Sequence, residues 1–321
     1  MTTLAPMRLA YGEALVTLGH DRPDVVALSA DVSSSDFSWM FAEAFPERFI
    51  NVGIAEQGLV DVAAGCAYTG LVPFANTFAF LFATRALEAI RTHCCYGGAN
   101  VKLMGAYAGV SDSFDGPTHH SIADIAIMRA LPNMTVVCPA DAIAVRKLLP
   151  QIAAWPGPVY ARLNRNEVPV LFGDDYAPEL GRAIVHRRGG DVTLVGTGIM
   201  LSRCLNAADL LAARGIDARV IEVHTIKPLD TDLLIVAAQE TGAIVTAEEH
   251  TIIGGLGGAV AETLSTACPV PVERVGVRDA FATSGQYDAL LEHLGLTAQA
   301  VVEAAFRAIG AKKLSETTAR R

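Results

Sequence analysis

The chain has 321 residues, of which 51% are hydrophobic and 18% charged, and carries a formal net charge of -9. That length suits two domains, and that composition supplies sizeable cores with a weakly charged surface open to a subunit interface. No block of five Lys or Arg occurs, so the basic footprint of a nucleic-acid binder is missing, and no uninterrupted apolar run reaches the roughly 18 residues of a membrane span.

Residues 1–7 lack a basic stretch followed by an apolar one, and a soluble cytoplasmic protein is expected. The cysteines at 66, 94, 95, 138, 204 and 268 fit neither a disulfide framework nor a zinc spacing, so reduced buried thiols are expected.

In chain order, VVALSAD (25–31), VPFANT (72–77), VKLMGAYA (101–108), MTVVCPA (134–140) and PVYARL (158–163) read as buried strands with helical patterns between them. Near-continuous apolar strands alternating with helices predict an α/β fold with a mostly parallel sheet covered on both faces. Residues 164–190 hold Pro169, Gly173, Pro178, Gly181, Gly189 and Gly190 among polar residues, a composition suited to a domain connection. A second α/β series follows, with strands in DVTLVGTG (191–198), ARVIEVHT (218–225), AIVTAEEH (243–250) and VERVGV (272–277) and an Ala- and Leu-rich helix over 201–214. Two domains are therefore expected, 1–186 and 187–321, with fraying over the last residues, 314–321.

The first chemical signal is NVGIAEQGLVDVAAG (51–65), which reads as a strand end, a glycine turn and a helix with Glu56 in its first turn. Between Arg48 and Arg85 the only charged residues are Glu56 and Asp61. Desolvation in such apolar surroundings favours the protonated carboxyl and suits it to share a proton with a buried nitrogen base, whereas the helix N-terminus favours the anion. A first-turn or capping-box glutamate on a surface helix is the plain alternative. Next, ANTFAFLFATRALEAIR (75–91) places Phe78, Phe80 and Phe82 across a strand-to-helix junction, where a core role competes with a ligand role. AGVSDSFDGPTHHSIAD (108–124) then reads as a polar loop between apolar elements, the kind that faces a ligand crevice at a strand end. Its Asp-x-x-x-His spacing offers two metal-ligand types without a third, which is weak support for a metal. GGLGGAV (254–260) lacks the early βαβ position of a dinucleotide site and reads as a close-packed turn at a helix start.

Taken in order, GIAEQ (53–57), the aromatic segment and DGPTH (115–119) resemble the pyrimidine-binding domain of the transketolase family, and IEVHTIKPLD (221–230) with EEHTIIGGLGGAVAE (248–262) resembles its C-terminal domain. The resemblance covers nearly the whole chain. It implies that Glu56 protonates the pyrimidine ring of thiamine diphosphate, which turns the exocyclic amine into a base for the thiazolium proton. It also implies that Phe78, and Leu81 or its neighbour Phe82, wall the aminopyrimidine. Asp115 and His119 match the pair that hydrogen-bonds the donor sugar, with His120 beside them. Arg8, Ser35 and Arg165 match the residues that hold the sugar phosphate, a dianion suited to guanidinium forks and a hydroxyl. A phosphate-side histidine of the family falls at Tyr107, which points to a modified or branched sugar or a differently placed anion.

No Gly-Asp-Gly occurs. The resemblance therefore implies that the diphosphate and its Mg²⁺ are held by a separate N-terminal transketolase subunit in an α2β2 assembly, since a diphosphate needs a cation and oriented donors. The expected activity is transfer of a two-carbon ketol unit between sugar phosphates. The β subunit of a 2-oxo acid dehydrogenase and a non-catalytic scaffolding subunit are the alternatives. Asp115 with His119 and the Arg8, Ser35, Arg165 set favour the transketolase.

Overall fold

Runs of β-branched and apolar residues become strands, and the structure, a computed structural model, describes residues 3–319, with side chains described for 3–314. The strands are β1 (Leu4–Pro6), β2 (Val25–Ser29), β3 (Phe49–Asn51), β4 (Val72–Phe78), β5 (Lys102–Ala106), β6 (Thr135–Val137), β7 (Val159–Leu163), β8 (Glu167–Pro169), β9 (Ile184–Arg187), β10 (Val192–Gly196), β11 (Ala218–Glu222), β12 (Thr225–Lys227), β13 (Ile244–Thr251) and β14 (Val272–Val277). Every residue of β2, β5, β7 and β10 is buried, as befits parallel strands covered on both faces. The expected fraying at 314–321 falls on a helix, Ala298–Ala319, that continues to the edge of the described residues, and the last two positions lie outside them.

A seven-stranded sheet runs β12-β6-β7-β5-β4-β2-β3, and a five-stranded sheet runs β14-β13-β10-β11-β9. Both are parallel except at one edge, where β12 opposes β6 and β9 opposes β11. A small antiparallel ribbon, β1 with β8, closes the start of the chain against the segment after β7. The helix Met7–Asp21 packs beside Ala142–Ala154 in one core, and the latter helix is capped by Asp141, which accepts the Ala144 amide at 2.7 Å. Among the described residues no helix is long and apolar enough to cross a membrane.

Two edge strands lie where periodicity gave no signal. β9 forms within the segment read as a connection, so a division between 186 and 187 falls inside a strand of the second sheet. β12 follows β11 by two residues yet adds to the first sheet. Ile226 is buried there, and the Lys227 ammonium donates to the carbonyls of Arg129 and Leu131. The IEVHTIKPLD segment is thus shared between the two sheets.

Arg162 on β7 is the buried tie between the domains. Its guanidinium donates to both Asp124 oxygens at 2.7 and 3.1 Å, to the Ser121 carbonyl at 3.0 Å and to the Glu249 carbonyl of β13 at 3.2 Å. Tyr160 donates to the same Asp124 carboxylate at 2.6 Å. A guanidinium cannot shed its charge when buried, so each of these acceptors offsets desolvation. Replacing Arg162 by Met leaves Asp124 buried without its counter-ion, and is expected to lower the unfolding free energy by about 3–5 kcal/mol in urea denaturation.

Candidate active site

The residues singled out in the sequence gather along the carboxyl edge of the seven-stranded sheet, the side on which open parallel sheets bind ligands. In sheet order, β3 leads to Glu56, β2 to Ser35, β4 ends at Phe78, β5 leads to Tyr107 and the loop to His119, and β7 leads to Arg165.

Glu56 opens the helix Glu56–Tyr68, and its side chain is only 2% exposed. The turn before it depends on Gly53 at φ +76, a conformation that glycine adopts without strain. Asn51 fixes that turn by accepting from the Gly53 amide at 3.0 Å while its own amide donates to Asp31 at 2.9 Å, so the ends of β2 and β3 are bound together. The helix has no side-chain cap, and Glu56 sits at its first position, buried, which removes the surface capping-box reading. Its surroundings are less apolar in space than in sequence, because Arg85 donates to Oε2 at 3.1 Å. Oε1 accepts no hydrogen bond among the described residues and is free for a ligand.

The aromatic group is centred on Phe78. It stacks on Tyr107 at 4.5 Å and 13°, and lies 6.5 Å from Phe80 at 20°. Phe80 in turn stands 5.1 Å from the His119 ring. Leu81 is buried next to this group in sequence, whereas Phe82 is fully buried in the core and meets Tyr160 edge-on at 6.4 Å. Phe80, rather than Phe82, is therefore the second ring on the ligand side. Alternation along β4 and into the short helix Ala79–Ala83 could have separated them only if that junction had been known.

The loop after β5 holds Asp115 exposed, His119 half-buried and His120 buried. The His119 Nδ1 lies 3.0 Å from the Thr118 hydroxyl, which leaves Nε2 for a ligand oxygen. Both ring nitrogens of His120 and Oδ2 of Asp112 are buried without a hydrogen-bond partner among the described residues, as are Asp36 Oδ2 and Thr77 Oγ1 near the neighbouring strand ends. A concentration of orphaned buried polar atoms at one sheet edge is the mark of a site completed by something else.

Arg8, Ser35 and Arg165 do converge, but not as three free donors. The Arg8 guanidinium donates to the Arg165 carbonyl from Nε at 3.0 Å and Nη2 at 2.7 Å, and to the Ser35 carbonyl from Nη1. Arg165 Nη1 donates to Asp112, and both guanidiniums lie over the Tyr107 ring, at 5.0 and 4.9 Å. Burial pushes the Asp36 carboxyl up to about 7 against the pull of Ser38 and Arg8. It pushes Asp112 up to about 6, with Arg165 opposing and Asp115 adding to the rise.

The second domain reaches this loop through Glu249. Its carboxylate accepts from the Val110 amide at 2.9 Å, the Tyr287 hydroxyl at 3.0 Å and Asn164 at 3.3 Å. Gly109, at φ +64, allows that approach, since a Cβ there would collide with the carboxyl group. The Ser113 carbonyl also accepts from the Gly285 amide at 2.9 Å. Arg85, Asp112 and Glu249 were missed in the sequence, where the only hint was a charge inside an otherwise apolar or small-residue stretch.

The glycine-rich segment 254–260 forms a tight turn whose helix start is already filled. Glu248 accepts from the Leu256 and Gly257 amides at 2.7 and 2.8 Å, which leaves no room for a nucleotide phosphate there. Among the described residues no three His, Cys, Asp or Glu side chains are grouped to hold a metal ion.

Residues 5–170 match the family model for the transketolase pyrimidine binding domain, and residues 181–301 match that for the transketolase C-terminal domain. The chain is 42% identical to a 6-deoxy-6-sulfo-D-fructose transketolase subunit, SqwH, of Clostridium sp. (strain MSTE9) over 299 residues, 93% of each chain. It is 37% identical to one of the subunits of an apulose-4-phosphate transketolase of Phocaeicola vulgatus over 299 residues, 93% of this chain and 96% of that one. Among solved structures it resembles a split gene transketolase described as an inactive β4 tetramer, with 50% identity, a TM-score of 0.88, and coverage of 96% of this chain and 99% of that one.

Two variants separate core from site. Phe82→Ala is expected to cost about 3–5 kcal/mol in chemical denaturation, and Phe78→Ala less, because Phe78 is only half-buried at the crevice. Glu249→Ala removes charge-assisted hydrogen bonds worth about 1.5–3 kcal/mol each, and hydrogen exchange of the Val110 amide and the following loop is expected to quicken while β2 stays protected.

Proposed function

The chain belongs to the transketolase family, and on that premise we propose that it is the C-terminal subunit of a split thiamine-diphosphate-dependent transketolase, active only with a separate N-terminal chain. In this reading it moves a two-carbon ketol unit between sugar phosphates or closely related sugars, in the cytoplasm, within an α2β2 assembly. The unit before about residue 187 grips the pyrimidine, and the unit after it braces the loop that meets the sugar.

The observation that carries the proposal is the Glu56 carboxyl, buried at the ligand edge of a parallel sheet with one oxygen unbonded. Thiamine diphosphate, when bound, supplies a carbon nucleophile to the donor ketose. The residues here fit such a group: an apolar and aromatic wall around Phe78 and Leu81, and a carboxyl able to hold a proton against a ring nitrogen. Glu56 binds the ring through Oε1, while Arg85 keeps Oε2 as an acceptor and so fixes the carboxyl's rotation. Phe78 offers a flat face and excludes water. His119 donates from Nε2 to the donor's carbonyl oxygen, and Asp115 accepts from a neighbouring hydroxyl. Arg165, with Arg8 behind it, faces the terminal anion.

Mg²⁺ and the diphosphate fall to the N-terminal subunit in this proposal, since the chain has no Gly-Asp-Gly string. The relatives' names support a subunit role and a range of unusual sugars. Tyr107, in place of a phosphate-side histidine, supports the same departure from ordinary pentose phosphates.

The test is reconstitution. The chain alone is expected to be inactive, and its mixture with an N-terminal transketolase subunit is expected to transfer ketol units only when thiamine diphosphate and Mg²⁺ are supplied. Glu56→Gln in that mixture is expected to lower kcat by at least about 10²-fold, the lower end of a general-acid contribution. Full turnover by the Gln variant, or a preference for pyruvate with CO₂ release, contradicts the proposal.

A further inference from the structure

The end of the crevice that faces the terminal anion contains its own counter-charges. Arg165 is directly paired with Asp112, a fully buried carboxylate on the loop after β5. Arg8, over the same Tyr107 ring as Arg165, has Nε, Nη1 and Nη2 engaged by backbone carbonyls, and the fully buried Asp36 exerts its attraction on it from behind. Each guanidinium is thus backed by a buried acid. The other charged groups facing Asp112 are Asp115, which repels it, and His119, which attracts it. With Asp112 pushed up to about 6, its carboxylate is ionised at neutral and higher pH.

Two unpaired guanidiniums match a phosphate monoester, whose charge is about -1.5 to -2 near neutral pH. Here an ionised Asp112 cancels one positive charge at short range and repels a second negative charge on the ligand, inside a partly buried pocket where screening is weak. Shape does not decide between tetrahedral anions with three terminal oxygens. Charge does.

We propose that Asp112 is a specificity-determining residue that sets this pocket for a singly charged terminal anion, a sulfonate, over a phosphate dianion on the donor ketose. The inference rests on the transketolase reading and narrows it to a substrate class. Asp112 acts through Arg165: it turns one nitrogen of the fork away from the ligand and lowers the pocket's net charge. The remaining Arg165 donors and the Tyr107 face are sufficient for a weakly hydrated, singly charged head group.

The test compares a ketose 6-phosphate with its 6-deoxy-6-sulfonate counterpart, using the chain reconstituted with its N-terminal subunit at about pH 8, where the phosphate is a dianion. Turnover of each and calorimetric binding of each are both measured. The wild-type complex is expected to favour the sulfonate, and Asp112→Asn to shift the KM ratio and the binding ratio towards the phosphate by about tenfold, with kcat little changed. Asp112→Glu is expected to restore the wild-type ratio, which a purely structural role for Asp112 does not predict. A wild-type preference for the phosphate, or an Asp112→Asn ratio that does not move, overturns the proposal. Absence of ketol transfer from every donor counts against the transketolase reading instead, and the binding ratio then still decides the role of Asp112.

Discussion

The candidate site depends on a permanently charged side chain buried where two domains meet. Arg162 stands on a central strand of the first sheet, and its donors are shared between Asp124, the end of the loop that carries Asp115 and His119, and the backbone of β13 in the second domain. Such a group is tolerated in a low-dielectric interior only when its donors are satisfied, so the acceptors cannot drift independently. The result is a fixed relation between the sheet edge that meets the ligand and the domain that braces it.

Glu249 extends that relation to the loop itself. Neighbouring residues of β13 use opposite sides of the strand: the carboxylate of Glu249 faces the first domain, while that of Glu248 closes the helix start at Leu256. Burial pushes both carboxyls up to about 7, with Arg162 or backbone amides opposing. The second domain thus contributes order to the site without presenting a ligand group of its own, and the glycine at 109 is the cost of bringing a carboxylate so close to the loop backbone.

Opposed charges recur at the sheet edge. Glu56 meets Arg85, Asp112 meets Arg165, and Asp36 lies near Arg8, each pair joining a buried acid to a cation that is more exposed than it is. An acid held in this way keeps its direction while its strength is moderated by desolvation. The aromatic rings of Phe78 and Tyr107 separate the pair at the pyrimidine end from the pairs at the anion end, which divides one crevice into a place for flat rings and a place for an anion.

The sequence by itself determined the main parallel strands, because a strand buried on both faces must be apolar at nearly every position, and VVALS, KLMGA, VYARL and VTLVG are. It also determined where Glu56, Phe78, Asp115 and His119 lie relative to those strands, since a residue just past a parallel strand emerges at the ligand edge. What only the tertiary structure decided are contacts between residues far apart in the chain. β9 and β12 are short edge strands whose partners, not their own periodicity, make them strands. Phe80 was exchanged for Phe82 at the site because one residue of register at a strand-to-helix junction reverses the face a ring occupies. Arg85, Asp112 and Glu249 carry no local pattern at all: an ion pair across 29 or 53 positions, or a carboxylate reaching an amide 139 positions away, is a property of packing, and packing is not written in any window of sequence.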